Sequence, residues 1–352
     1  MRVLYAIQGT GNGHLSRAND IVPLLQERVQ LDVLVSGIQA DVQVPFSIDY
    51  RLKGLSFTFG KKGGVDLWDT YKKAKVKRLI AEIKALPIQK YDLVISDFEL
   101  VSTWAAQLRK VPCIALSHQA AVLHPKAPQP EQQDWFGRHV LRHYAPAETQ
   151  YGFHFEAYAD SIFTPVIRQQ IRQQTVTNQG HYTVYLPAYS EEKLVRKLQR
   201  FGKTKWHVFV KHIQSPREYG NVKVFPIQNE AFVKSMASST GVLCGAGFET
   251  PAEALFLGKK LMVIPMKAQY EQQCNAAALA KMGVPVLKNL KEKRLEHIER
   301  WLQNEQKIEV YYPDQTAQLL DVLLERHLYN PSRMSVVPPE STDWSQQVLI
   351  PV

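Results

Sequence analysis

Short apolar, β-branched runs alternate with helical patterns along this chain, and the alternation occurs twice. In the first half VLYAI (3–7), LDVLVS (31–36), DLVISD (92–97) and CIALS (113–117) read as buried strands. Between the first two, SRANDIVPLLQER places Ile21, Leu24 and Leu25 on one helical face, and STWAAQLRKV (102–111) does the same between the last two. Strands joined through helices are parallel, with helices covering both faces of the sheet. Residues 165–180, PVIRQQIRQQTVTNQG, are polar and glutamine-rich and read as a linker. The pattern then restarts with YTVYLP (182–187), EEKLVRKLQRF, WHVFVK (206–211), KVFPI, SMASSTGVLCG and KLMVIP (260–265). A chain of 352 residues is long for one core. The expectation is an α/β protein of two Rossmann-like, doubly wound domains facing a cleft, the first over 1–165 and the second over 181–328. A tail over 329–352, with prolines at 331, 338, 339 and 351, reads as irregular.

Composition narrows the class. Hydrophobic content of 45% with 22% charged residues is that of an ordinary soluble globular protein. No apolar run approaches the roughly 18–20 residues that span a bilayer, and the apolar start is too short for a secretory signal. Three cysteines without a CxxC pair suit reduced thiols in the cytoplasm. The net charge of +10 favours an acidic partner (nucleotide, phospholipid surface or nucleic acid), against a plain solvated basic surface. Lys61-Lys62 and YKKAKVKRLIAEIKAL (71–86) carry much of it. The second stretch has the pattern of an amphipathic helix that can lie on anionic headgroups, although solvated basic helices are commoner.

Chemistry concentrates at two glycine-rich loops. Gly9, Gly11 and Gly13 follow the first strand and lead to His14. In an open parallel sheet ligands bind beyond the carboxyl ends of the strands, and glycines there let backbone approach a ligand closely. The spacing is not GxGxxG, and some 20 positions on the one acidic residue near a strand end is Asp32, which precedes its strand core, so a dinucleotide fingerprint fits poorly. Histidine's ordinary pKa suits a general base near neutrality. Asp97, at the end of DLVIS, is a candidate to orient the ring. It could instead cap the helix near Ser102, and Glu99 competes for its role; His118 ends the next strand. In the second half, CGAGFETPAEALFLGKKLMVIPMKAQYEQQCNAAALAKMG (244–283) sets Gly245 and Gly247 before a helix whose first turn takes Pro251, with Glu249 and Glu253 one turn apart. Such a helix start can hold a diphosphate on backbone N–H groups, a carboxylate one turn in can accept ribose hydroxyls, and the amide-rich loop around Gln272, Gln273 and Asn275 can bind sugar hydroxyls.

Residues 244–283 resemble the donor-binding motif of GT-B glycosyltransferases, in particular the family of the peptidoglycan N-acetylglucosaminyl transferase (glycosyltransferase family 28-like). Cys244, Gly247, Thr250, Glu253, Gly258 and Asn275-Ala276 match C-x-x-G-x-x-T-x-x-E, G-x-P and Q-x-x-N-A in order. GTGNGHLSRA resembles the same family's N-terminal glycine loop, whose histidine is the proposed base. Two departures stand out: Lys260 replaces the usual proline, and the glutamine loop is one residue shorter. The resemblance spans most of residues 1–285. It implies that Glu253 holds the ribose, Gly247 and Thr250 the diphosphate, Glu271 and Gln272 the donor sugar, and Ile227 in VFPIQ the base.

The expected activity is inverting, metal-independent transfer of a sugar from a nucleoside diphosphate sugar, UDP-linked, to a hydroxyl acceptor. His14 and Asp97 form the catalytic dyad, and no cofactor takes part. The acceptor is expected to be phosphorylated or lipid-linked, met in the cytoplasm at the inner face of the membrane, with nucleic acid not expected as a partner. A nucleotide-sugar 2-epimerase and a non-catalytic nucleotide- or nucleic-acid-binding protein remain open as alternatives. No DxD triplet occurs, and His139 and His143, four apart, lack an evident third metal ligand. HPKAPQPEQQDWF (124–136) suits an acceptor-side loop or nothing. Removal of Glu253 is expected to weaken nucleotide binding and leave the fold intact.

Overall fold

The computed structural model describes residues 1–10, 12–37, 44–55, 76–132, 134–267 and 269–329. Lys61-Lys62, the start of the basic stretch 71–86, Gly11 and the tail beyond Tyr329 lie outside them. Residues Val76–Ala85 of that stretch are helical, with Ile83 buried.

The first sheet takes β1 (Arg2–Gln8), β2 (Gln30–Ser36), β3 (Tyr50–Leu52), β4 (Leu93–Asp97), β5 (Cys113–Leu116), β6 (Thr149–Phe153) and β7 (Ile162–Phe163) in the order β3-β2-β1-β4-β5-β6-β7. Every pair in it is parallel. The second takes β8 (His181–Tyr185), β9 (Lys205–Val210), β10 (Arg217–Tyr219), β11 (Val222–Pro226), β12 (Gly241–Gly245) and β13 (Lys260–Ile264) in the order β10-β11-β9-β8-β12-β13. Only β10 runs antiparallel to its neighbour. The run-length reading found the long central strands to within a residue or two. It did not find β3, β6, β7 and β10, which are short or rich in polar residues. The expected linker carries a four-residue helical turn, Gln169–Arg172.

Both sheets reverse direction beside their first strand: β1 lies between β2 and β4, and β8 between β9 and β12. At such a switch point the two crossovers leave on opposite faces and open a crevice at the strands' carboxyl ends. In the first sheet the crevice is walled by the exit of β1, leading into α1 (Asn12–Gln26), and the exit of β4, leading into α2 (Leu100–Arg109). In the second, β12 leads into α3 (Glu249–Phe256). Apolar residues on both faces of β1 are fully buried, Val3, Tyr5 and Ile7 on one and Leu4 and Ala6 on the other, so the strand is fixed from both sides. The C-terminal helix Thr316–Leu324 packs on α1, and Arg28 of the first unit pairs with its Asp321 (Nε to Oδ1, 2.6 Å). The last helix of the 181–328 span therefore returns to the first sheet's side.

Candidate active site

Asp97 and Glu99 sit two residues apart, yet the chain sends them to different tasks. Phe98 between them has φ 57°, a left-handed conformation unfavourable for a bulky side chain and typical of sites where geometry is imposed. Glu99 becomes the N-cap of α2, accepting from the Val101 and Ser102 N–H groups (2.8 and 2.6 Å) and from Ser36 Oγ (2.6 Å). Asp97 is thereby left for the crevice. Its Oδ1 lies 2.8 Å from His14 Nδ1, with the aspartate fully buried and the imidazole 13% exposed.

Arg17, three residues beyond His14 on the same face of α1, completes this group. Its Nη2 donates to both oxygens of Asp97 (2.8 Å each), and its Nη1 donates to Glu249 Oε1 on α3 at 2.5 Å. The guanidinium is 1% exposed and lies over the Phe153 ring, 5.3 Å from its centroid. Burial would raise the Asp97 carboxyl, but the charges and hydrogen bonds of Arg17 and His14 outweigh it and hold Asp97 below the usual range. Burial disfavours the charged form of Arg17 too, and is overcome by Asp97 and Glu249.

Two further side chains cross between the units. Gln119 Nε2 lies 3.4 Å from His14 Nε2 and donates to Glu271 Oε2 at 2.9 Å, while its Oε1 is buried without a hydrogen-bond partner among the described residues. His118 lies 2.7 Å from both the Phe153 carbonyl and Asn275 Oδ1 and stacks on Phe248 (centroids 3.9 Å apart), so it joins the units rather than facing open space. Burial lowers its pKa.

The glycines divide by task. A Cβ on Gly9 would meet Val35 at 2.9 Å and the Ser36 carbonyl at 3.0 Å, so Gly9 serves the packing of β1 on β2. A Cβ on Gly13 would meet Glu249 Cγ at 3.1 Å, so Gly13 serves the approach of the second unit. Gly247 has nothing within 4 Å of its Cβ position. It precedes α3, whose N-cap residue Phe248 makes no side-chain capping bond. Thr250 lies half-buried in the first turn.

The other expected contact residues have partners within the protein. Glu253 is 2% exposed, and both its oxygens accept from Arg168 (Nε 2.6 Å, Nη2 2.9 Å); Arg168 also donates to Asn229 at 2.9 Å. Gln272 Oε1 accepts the Met266 N–H (2.9 Å) and Gln273 donates to the Met266 carbonyl (2.8 Å), so the two amides brace their own loop. Ile227 leaves β11 half-buried, its N–H bonded to the Val210 carbonyl (3.0 Å), three strands from β12. Lys260 opens β13 at its amino end, bonding Tyr182 Oη and the Leu302 carbonyl (3.2 and 3.1 Å), so that departure concerns packing. The His139 and His143 rings lie 4.4 Å apart, tilted by 49°; among the described residues no group of three or more His, Cys, Asp or Glu is placed to hold a metal ion. A cavity of about 220 Å³ beside His124, Arg142 and Ser161 does not include His14. Sequence reasoning missed Arg17, Gln119 and Arg168. Only Arg17 left a signal, its i+3 spacing from His14.

Burial pushes the Glu249 carboxyl up to about 7, with Arg17 acting in the opposite sense and the Glu253 and Asp97 charges adding to the rise. A carboxyl raised in the folded state stabilises the fold most below its ordinary pKa, and this contribution is lost as pH rises through about 7. The parent is expected to lose on the order of 2–3 kcal/mol from this group between pH 4.5 and 8. Urea denaturation at stepped pH checks this: the Glu249→Gln profile is flatter, and parallel profiles would show that Glu249 titrates normally.

The family model for glycosyl transferase family 1 matches residues 1–305. A search of curated proteins finds no match. Among solved structures, the chain is similar to MurG of Acinetobacter baumannii (15% identity, TM-score 0.57, covering 92% of this chain and 99% of that one). It is similar to the glycotransferase of kitacinnamycin (14%, 0.55, 92% and 98%) and to a UDP-N-acetylglucosamine 2-epimerase (14%, 0.55, 97% and 99%). At these identities the likeness is one of fold, the GT-B arrangement of two Rossmann-like domains. No helix among the described residues is long and apolar enough to cross a membrane. With its family model matched over residues 1–305 and two switch-point crevices set face to face, the chain belongs to glycosyl transferase family 1 and is a glycosyltransferase.

Proposed function

We propose that the chain transfers a sugar from a UDP-linked donor to an acceptor hydroxyl, with inversion and without a metal. The observation that carries this reading is the His14–Asp97 pair at one switch point, tied by Arg17 to Glu249 at the other. His14 Nε2 takes the acceptor's proton as the hydroxyl oxygen bonds to the anomeric carbon. The bond from that carbon to the diphosphate oxygen breaks, and the nucleoside diphosphate leaves with the electron pair. Backbone N–H groups at the start of α3, beside Gly247 and Thr250, meet the charge that develops there. Glu253 takes the ribose, Glu271 and Gln272 the sugar, and Ile227 the base. Residues 1–165 serve the acceptor and 181–328 the donor. A phosphorylated or lipid-linked acceptor at the inner membrane face fits the +10 charge and the exposed Trp135 and Phe136 (74% and 59%), which open the helix that also carries Arg138 and Arg142.

A panel of nucleotide sugars in a thermal-shift assay tests donor choice, since selective binding raises the melting temperature. Transfer, or donor hydrolysis by water, is expected to survive EDTA, because helix dipole and backbone donors act in place of a cation. Activity abolished by chelation and restored only by Mn²⁺ or Mg²⁺ would count against the mechanism. The carboxylates Asp97 and Glu249 near His14, with Glu271 reached through Gln119, supply the acid and base groups that a 2-epimerase reading needs. An epimerised donor sugar seen by NMR, in place of released UDP, would establish it.

A further inference from the structure

We propose that Arg17 is a positioning residue for the reaction, holding Asp97 against His14 and setting a fixed positive charge beside the imidazole. The inference rests on the glycosyl-transfer reading for its consequence, though not for its geometry. Asp97 Oδ1 is shared between His14 Nδ1 and Arg17 Nη2, at 2.8 Å each, and Oδ2 is also taken by Arg17. The carboxylate cannot turn without breaking a buried charge-assisted bond. The same Nη2 lies 3.4 Å from His14 Nδ1, so a fixed positive charge stands beside the imidazole. A cation at that distance opposes a second cation, so removing it is expected to favour the protonated ring.

The groups that face His14 come from every wall of the crevice: Arg17 from α1, Asp97 from β4, Gln119 from the segment after β5, and Glu249 from α3. Arg17 joins two of them, because its other terminal nitrogen is held by Glu249 of the second unit. Base geometry is thus assembled with the donor-side helix in place. Arg17 Nε is buried without a partner among the described residues, so the group's position is fixed by its two terminal nitrogens.

The test uses the full chain with ¹⁵N-labelled histidine. NMR titration follows the imidazoles, and His14→Gln identifies the His14 signal. In Arg17→Gln the protonation midpoint of His14 is expected to rise by about one unit or more, one unit being the scale of losing a charge at 3.4 Å even with the full screening of water. Arg17→Lys, which keeps the charge and is the fallback if the glutamine variant does not fold, is expected to restore most of that shift. Hydrolysis of the best-stabilising nucleotide sugar at pH 7 is expected to fall at least tenfold in Arg17→Gln, with Kd for the nucleotide within about threefold. A purely structural role would lower activity and binding together with the folded fraction and leave the midpoint where it is. A midpoint unchanged in Arg17→Gln overturns the proposal; when the glutamine variant does not fold, a midpoint raised in Arg17→Lys by a full unit despite the retained charge overturns it. If the midpoint moves while no nucleotide sugar binds or turns over, the positioning role stands and the glycosyl-transfer reading fails.

Discussion

Turnover of the His14→Ala protein is expected to fall by roughly 10²- to 10⁴-fold, the range for a positioned general base. Donor affinity is expected to stay within about threefold, since the proposed donor contacts lie on the second unit. His14 is 13% exposed and makes one short bond, to Asp97. Its removal leaves Asp97 still paired with Arg17, so no buried charge is stranded and the melting temperature is expected to change little. Turnover and melting temperature measured on one preparation separate the roles. A turnover per folded molecule within about threefold of the parent, far short of the general-base range, would make His14 a turn residue.

That prediction was legible in the sequence because its two residues each end or follow a strand. A run such as DLVISD shows where its strand stops, and the switch-point rule places that end beside the loop after β1. The choice between Asp97 and Glu99 was not legible. It depends on the left-handed turn at Phe98 and on Ser36, from β2, reaching the Glu99 carboxylate. Contacts between the units were the least accessible of all. Arg17 to Glu249 joins residues 232 apart and Arg168 to Glu253 residues 85 apart, and no periodicity encodes which loop of one sheet faces which helix of the other. The same limit explains Gly9 and Gly13. Their spacing leaves a structural turn and a ligand loop both open, and the steric need for glycine comes from β2 at one and Glu249 at the other.

Glu253→Ala is expected to unfold more readily than the parent, contrary to what the motif alone suggests. The motif presents Glu253 as a ligand carboxylate one turn into a helix, free to lose without structural cost. In the fold it is the buried partner of Arg168, whose guanidinium is itself only 13% exposed. Burial opposes the charge on Arg168, and Glu253 is what outweighs it. Deleting one member of such a pair strands the other, at about 3–5 kcal/mol. At roughly 2–4 °C per kcal/mol for a chain somewhat smaller than this one, the melting temperature is expected to drop by about 6–20 °C. Nucleotide affinity is expected to fall about 10- to 150-fold as well, if the carboxylate also accepts the ribose hydroxyls. The two roles are compatible, since an ionised carboxylate offers about four acceptor positions and Arg168 fills two. Arg168→Ala combined with Glu253→Ala separates them. Without the guanidinium no charge is stranded, so the double variant is expected to regain stability over Glu253→Ala while nucleotide binding stays weak. Recovery of both would reduce Glu253 to a counter-ion that fastens the linker to the second unit. Loss of neither in the single variant would remove Glu253 from the nucleotide site and mean that Arg168 finds another partner, with Asp20 and Glu249 the charges nearest to hand.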